Sequence, residues 1–351
     1  MKKTAVLLLF NLIICFAAIA QTDSMATLVV ADNQEAELDY NKGVENYKIK
    51  NYNKSLENFT SATLKKTNFY QAYYNRGNVQ SQLKRYKEAI SDYTEVIKIQ
   101  PGYARAYFSR GMAYFLMKDY KSAFDNFFTA SSLDPKVAKY PYYCGVANFQ
   151  LGAFKQAEKN FTDAIRIKND YAFAYNDRGS ARRNLQNYDG AISDYSLAIK
   201  NDPAMAIAHN NLGSVQKITK DFKKAIISYS SAIRLNPTYH LAYTNRGSTY
   251  MEMGNINEAI SDFEKAIGLN DKYAPAYNNY GLVLLKQKKY EEALTQFSKA
   301  IELNTNFSQA YGNRGSAKEM LHDFEGACID WKKAASLGIE NSDLYLKGCE
   351  N

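Results

Sequence analysis

Histidine and tryptophan are rare in this chain, and it contains none of the sequence motifs of common enzymes. Its 351 residues include one tryptophan and three histidines, His209, His240 and His322. No histidine belongs to an HExxH motif or stands at metal-binding spacing from a cysteine, and there is no GxGxxG, P-loop or GxSxG pattern. The carboxylates are scattered as single charges on predicted helix surfaces. We therefore predict a protein that is not an enzyme and holds no metal and no cofactor.

Cysteine is also scarce, with four residues. Cys15 follows two isoleucines, whereas a lipoprotein signal needs small residues before its cysteine. Cys144 is expected to be a small buried hydrophobic side chain. Cys328 and Cys349 either form a disulfide in an oxidising compartment or remain two free thiols.

Charge of one sign does not dominate. The formal net charge is +8, which falls to +6 without Lys2 and Lys3. Basic residues are spread over predicted helix faces rather than concentrated in the stripe that nucleic-acid binding needs. We expect no nucleic acid partner, and the charge is that of a solvated surface.

The first 20 residues have the pattern of a secretory signal peptide. Lys2 and Lys3 are followed by a mostly apolar stretch at 5–17 and by the small-residue sequence AIA at 18–20. Cleavage before Gln21 is predicted. An uncleaved anchor is the alternative, but the apolar stretch is shorter than the ~20 residues that span a bilayer. We therefore expect a protein exported to the periplasm or beyond, with no stable membrane span after cleavage.

A glycine recurs at intervals of 34 residues along almost the whole chain. If it is position 8 of a repeating unit, position 20 is alanine in eight units and serine in the first, and position 24 is always aromatic. Four prolines fall at position 32, where each marks a helix end. The nine glycines are Gly43, Gly77, Gly111, Gly145, Gly179, Gly213, Gly247, Gly281 and Gly315.

These residues resemble the tetratricopeptide repeat, which has small residues at positions 8, 20 and 27, an aromatic at 24 and a proline at 32. The resemblance implies an all-α solenoid, a right-handed superhelix of helical hairpins with a short C-terminal capping helix. We call the first helix of each hairpin A and the second B. Glycine inside a helix costs ~1 kcal/mol relative to alanine, so its recurrence indicates that helices A and B approach too closely there for a larger side chain. The predicted segments are a signal peptide (1–20), a polar lead-in (21–35), nine repeats (36–69, 70–103, 104–137, 138–171, 172–205, 206–239, 240–273, 274–307, 308–341) and a cap (342–351).

Arginine at position 7 varies together with aspartate at position 23. No aspartate occurs there without its arginine, and Arg110 alone faces an asparagine, Asn126. We interpret this covariation as a bidentate ion pair between helices A and B of one repeat. A row of anion-binding arginines is the alternative. The predicted pairs are Arg76 with Asp92, Arg178 with Asp194, Arg246 with Asp262, and Arg314 with Asp330.

Position 6 is asparagine in six of the nine repeats, although asparagine is a poor helix residue. The row resembles the asparagine ladder in the repeats of O-linked N-acetylglucosamine transferase, where such amides hold the backbone of an extended peptide. The alternative is that the amides bridge neighbouring helices. The predicted peptide-binding residues are Asn41, Asn75, Asn211, Asn245, Asn279 and Asn313.

Positions 5 and 12 change from aromatic to polar along the chain, and we predict that both line the concave groove. The alternative is that the aromatic residues belong to the core. The predicted groove-lining residues are Tyr40, Tyr74, Phe108, Tyr142, Asn176, Asn210, Asn278, Phe115 and Phe149.

The sequence thus predicts an exported scaffold or adaptor that binds an unidentified protein or peptide in its groove. A glycan-binding protein of the cell envelope, which would stack sugars on the aromatic half of the groove, is the second hypothesis.

Overall fold

The computed structural model describes residues 34–339 together with Leu346 and Cys349. The predicted signal peptide, most of the lead-in and most of the C-terminal cap lie outside the described residues. Residues 34–339 form eighteen α-helices and contain no strand. The helices are α1 (Gln34–Lys48), α2 (Tyr52–Lys65), α3 (Tyr70–Gln82), α4 (Tyr86–Ile99), α5 (Ala104–Leu116), α6 (Tyr120–Leu133), α7 (Lys139–Gln150), α8 (Phe154–Ile167), α9 (Ala172–Asn184), α10 (Tyr188–Asn201), α11 (Ala206–Ile218), α12 (Phe222–Leu235), α13 (His240–Met253), α14 (Ile256–Leu269), α15 (Ala274–Lys286), α16 (Tyr290–Leu303), α17 (Ser308–Met320) and α18 (Phe324–Ser336).

The chain divides into two compact units, residues 1–151 and 152–351. In each unit, odd-numbered helices are the A helices of the predicted repeats and even-numbered helices are the B helices. Where both helices of a hairpin lie in the same unit, the A helix packs against its own B helix. Each B helix also packs against the next A helix. The all-α prediction and the 34-residue hairpin repeat are confirmed.

The repeated glycine is the point of closest approach between the two helices of a hairpin. A Cβ atom built on Gly213 would lie 2.8 Å from the Tyr229 ring and 3.1 Å from the Ala225 carbonyl oxygen. The aromatic residue at position 24 therefore fills the space that a side chain at position 8 would need. Both positions are buried, as the sequence pattern predicted.

The turns that separate the helices also follow the repeat. Pro101, Pro135, Pro203 and Pro237 all lie in the turns between one hairpin and the next. Within the hairpins, the residue at position 15 has a left-handed backbone, with φ near +60° even where it is a lysine, as at Lys50. This conformation was not predicted from the sequence.

Two further predictions concern the cysteines and the membrane. Cys328 and Cys349 form a disulfide with a Cα–Cα distance of 5.5 Å, so the disulfide alternative is confirmed. Cys144 is buried, as expected. None of the helices in the described part of the chain is long and apolar enough to cross a membrane.

Candidate functional site

All four predicted arginine–aspartate pairs are present, and each is bidentate. In the pair between α13 and α14, Arg246 donates from Nε to Oδ2 of Asp262 and from Nη2 to Oδ1, both at 2.8 Å. The other three pairs have the same geometry, with distances of 2.6–2.9 Å. Arg110 donates to Asn126 at 2.8 Å instead. The arginine thus ties helix A to helix B within its own repeat.

Each of these arginines also holds two groups that the sequence analysis missed. Nη1 of Arg246 donates to Ser230 on the preceding B helix at 2.8 Å. Its guanidinium carbon lies 5.8 Å from the ring centre of Tyr243, three residues earlier. The other four arginines bond a serine or threonine of the preceding repeat and cover a tyrosine at position 4 in the same way. Comparing the repeats would have revealed the tyrosine, because it stands at position 4 in all five. The hydroxyl partner varies in position, because Arg76 bonds position 28 of the preceding repeat and the other four arginines bond position 25.

The charge environment agrees with a structural role. The hydrogen bonds to Asp262 raise the pKa of Arg246 above its ordinary value, and Asp330 does the same for Arg314. Burial without a carboxylate partner lowers the pKa of Arg110 instead. Three nitrogens of Arg246 thus already donate to groups of the protein.

The asparagines at position 6 bond the neighbouring A helix. Nδ2 of Asn245 donates to Oδ1 of Asn210, 35 residues earlier and at position 5 of the preceding repeat, at 3.0 Å. Asn211 bonds Asn176 at 3.0 Å, and Asn313 bonds Asn278 at 2.9 Å. Bridging between helices, the alternative interpretation of the row, is therefore present. The assignment of these residues to peptide binding stays a prediction.

The first unit has the same pattern with different chemistry. Nδ2 of Asn75 donates to the Tyr40 hydroxyl at 2.9 Å, and the Tyr74 hydroxyl bonds Ser109 at 3.1 Å. Asn41 belongs to the first repeat, and its Oδ1 is buried without a hydrogen-bond partner among the described residues. The bond from position 6 to position 5 of the preceding repeat thus occurs in both units.

The groove-lining prediction is wrong for Phe115 and for every predicted position-5 residue except Tyr142. Tyr40 packs between Phe59 and Phe69 of its own repeat, with ring centres 5.6 and 5.0 Å away. Its hydroxyl accepts a hydrogen bond from Asn75 of the next repeat. These side chains form a second core row beside position 24, and they cannot stack a sugar. The buried residues are Tyr40, Tyr74, Phe108, Phe115, Asn176, Asn210 and Asn278. Tyr142 and Phe149 are half-buried, and for them groove lining stays a prediction.

In residues 152–351, positions 2, 6, 9 and 13 share the open side of the A helices by the i, i+4, i+7 rule. We call this surface the helix-A face. Position 2 contributes Phe173, which is exposed, and half-buried Ile207, Leu241 and Pro275. Position 6 contributes the half-buried amides of Asn245, Asn279 and Asn313. The face therefore has an apolar row beside an amide row.

Asn279 differs from its neighbours in this amide row. The preceding repeat has Thr244 at position 5, and that hydroxyl donates to the His240 carbonyl. Nδ2 of Asn279 consequently has no partner among the described residues, while its Oδ1 accepts from Asn278 at 3.3 Å. Oδ1 of Asn245 and Oδ1 of Asn313 accept no hydrogen bond from the described part of the chain. The row thus offers two acceptors, Oδ1 of Asn245 and Oδ1 of Asn313, and one donor, Nδ2 of Asn279.

Among residues 34–339, Leu346 and Cys349, no group of three or more His, Cys, Asp or Glu side chains could hold a metal ion.

Family models of the tetratricopeptide repeat match residues 70–103, 104–137, 176–240 and 239–306. The matched segments together span more than half of the chain. The chain therefore belongs to the tetratricopeptide repeat family.

Two solved structures with a TM-score of 0.59 share this fold. A tetratricopeptide repeat protein from Parabacteroides merdae ATCC 43184 is 18% identical over 71% of this chain and 99% of its own, with a TM-score of 0.59. The APC/C hetero-tetramer Cut9-Hcn1 is 13% identical over 93% of this chain and 79% of its own, also at 0.59. MamA is 30% identical over 45% of this chain and 93% of its own, with a TM-score of 0.41. No curated protein matches the chain.

Proposed function

We propose that this protein is an exported, non-catalytic scaffold that binds a protein partner through an extended segment on the helix-A face. Tetratricopeptide repeats typically bind proteins or peptides. The observation that carries the proposal is the pairing of the apolar row at position 2 with the amide row at position 6.

The amide row suits a peptide backbone. Oδ1 of Asn245 and Oδ1 of Asn313 are acceptors for backbone N–H groups, and Nδ2 of Asn279 is a donor for a carbonyl. Because the amides of Asn245 and Asn313 are fixed by bonds to the preceding helix, they lose little side-chain freedom when a ligand binds.

The apolar row suits the side chains of the same segment. Phe173 is 49% exposed, and an exposed aromatic on a face that is otherwise closely packed is a typical interface anchor. Ile207 and Leu241 continue the row on the next two A helices. An extended segment would therefore place apolar side chains on position 2 and its backbone on position 6.

Export is supported by the signal-peptide pattern at 1–20 and by the disulfide between Cys328 and Cys349. Disulfides persist in oxidising compartments, which for a bacterial protein means the periplasm or the exterior.

The test uses the chain from Gln21 as bait in an envelope extract, in wild-type form and as the Phe173→Ser, Leu241→Ser variant. The matched control is Ile227→Ser, Ile329→Ser, which removes two exposed isoleucines (66% and 60%) from B helices of the same unit. We expect the Phe173→Ser, Leu241→Ser variant to lose the captured protein and the control to retain it. Equal capture by all three forms would contradict the proposal, as would capture that glycosidase abolishes and protease does not.

A further inference from the structure

The turns between helices A and B carry lysine where the backbone favours glycine. In residues 1–151, Lys50, Lys84 and Lys118 have φ of 60°, 60° and 64°. A left-handed backbone strains any residue with a Cβ atom. Glycine occupies the same turn position at Gly152 and Gly254. Lysine, glutamine and histidine occupy this position in other repeats, so the turn backbone does not itself require lysine.

The three turns form a single positive edge. We call residues 48–53, 82–87 and 116–121 the basic turn edge. It contains seven basic residues and one acidic residue, Asp119, whose carboxylate caps α6 through the Ser122 amide. None of the seven forms an ion pair with another described residue. They are Lys48, Lys50, Lys84, Arg85, Lys87, Lys118 and Lys121.

The second unit lacks this excess. The equivalent positions of its five turns (184–189, 218–223, 252–257, 286–291 and 320–325) hold five basic and six acidic residues. The charge of the basic turn edge is therefore a property of the first unit and not of the repeat.

Exposed aliphatic residues stand beside the lysines. Ile49 is 74% exposed and directly precedes Lys50, and Met117 is 40% exposed and directly precedes Lys118. Tyrosine follows two residues after each lysine, and these rings are half-buried. Exposed aliphatic side chains next to lysines, with tyrosines two residues further on, are the composition of a surface that lies in a membrane interface.

The turns point to the same side of the first unit. The hydrogen bonds from Asn75 to Tyr40 and between Ser109 and Tyr74 hold successive A helices side by side. Their C-terminal ends, and hence the turns that follow, lie along one edge. The three turns are therefore neighbours along this edge of the first unit.

We propose that the basic turn edge binds the surface of a membrane that contains anionic phospholipids. The lysines contact lipid phosphates, and Ile49 and Met117 enter the headgroup region. The exposed aliphatic side chains favour a bilayer over a soluble polyanion, which would leave them in water. This binding surface is separate from the helix-A face.

The experiment measures vesicle binding by the chain from Gln21, because the apolar stretch at 5–17 would itself bind lipid. The probes are vesicles of phosphatidylglycerol with phosphatidylethanolamine and, for comparison, vesicles of phosphatidylcholine alone. Wild-type protein should bind the anionic vesicles and be released by salt. The variant with Lys50, Lys84 and Lys118 changed to glycine should bind roughly a hundredfold more weakly, at about fivefold per lysine. Its melting temperature should not fall, because glycine relieves the turn backbone.

Lys220→Gly with Lys288→Gly is the matched control, since both residues have φ of 63° in turns of the second unit. This control should bind as wild type. Ile49→Ser with Met117→Ser should weaken vesicle binding and leave binding to heparin unchanged. The proposal is overturned if anionic vesicles bind no better than phosphatidylcholine, if the control loses as much as the lysine variant, or if the serine variant binds vesicles as wild type does.

Discussion

The ion pair between Arg246 and Asp262 allows the sharpest test of how the repeats are held together. Two bonds of 2.8 Å join the side chains, of which Arg246 is 20% exposed and Asp262 is 6% exposed. Changing each residue to alanine should therefore lower the free energy of unfolding by different amounts for the two single variants, and the double variant completes the comparison.

The inequality follows from what each change leaves behind. Arg246→Ala leaves a buried carboxylate without its partner, which costs about 3 kcal/mol, the lower end for a broken buried pair. Asp262→Ala leaves a guanidinium that still reaches solvent, Ser230 and the Tyr243 ring, so the cost is about 1–2 kcal/mol. The double variant should lose less than the sum by about 1–3 kcal/mol.

Urea denaturation followed by circular dichroism measures these free energies of unfolding. Arg110→Ala is the matched control, since its partner Asn126 is neutral and a loss of only about 1 kcal/mol is expected. Strict additivity in the double variant, or a larger loss from Asp262→Ala than from Arg246→Ala, would refute the reasoning.

The remaining predictions concern packing, the disulfide and pH. Gly213→Ala should lower the melting temperature by more than helix propensity would raise it, because the new Cβ atom meets the Tyr229 ring at 2.8 Å; an unchanged melting temperature would contradict this. Cys328→Ser should destabilise the last hairpin by ~3 kcal/mol, and alkylation of unreduced wild-type protein should leave Cys328 unlabelled. Burial lowers the pKa of His240, so its contribution to stability is present above its unfolded pKa of about 6.5 and is lost as the pH falls through the folded value. His240→Gln should therefore flatten the decline in melting temperature below that pH, and an identical decline in both proteins would argue against it.

The repeat and the arginine pairs could be predicted because both are periodic in the sequence. A 34-residue glycine, an aromatic 16 residues later and a covarying arginine and aspartate determine the hairpin and the contact between its helices. These signals lie within one repeat, so comparison of the repeats in a single chain was sufficient.

The groove could not be predicted as well, because it depends on how one hairpin covers the next. Asn210 accepts a hydrogen bond from Asn245 of the next repeat and is 1% exposed. Tyr40 is covered both by aromatic residues of its own repeat and by Asn75 of the next. The bond from Asn245 to Asn210 spans 35 residues, one more than the repeat, so aligning the repeats by position does not pair these two residues. The lysines with positive φ were missed because glycine or asparagine is the usual residue in that conformation.

Asn279 provides the most direct test of the claim that the amide row binds a peptide backbone. Asn245 both bridges two helices and lines the face, whereas Nδ2 of Asn279 has no partner among the described residues. With the protein captured by the wild-type chain as ligand, affinity and melting temperature are measured for Asn279→Ala and Asn245→Ala. We expect Asn279→Ala to weaken binding about tenfold, equivalent to ~1.4 kcal/mol, with an unchanged melting temperature, and Asn245→Ala to lower both. An Asn279→Ala protein that melts earlier but binds with wild-type affinity would contradict the account.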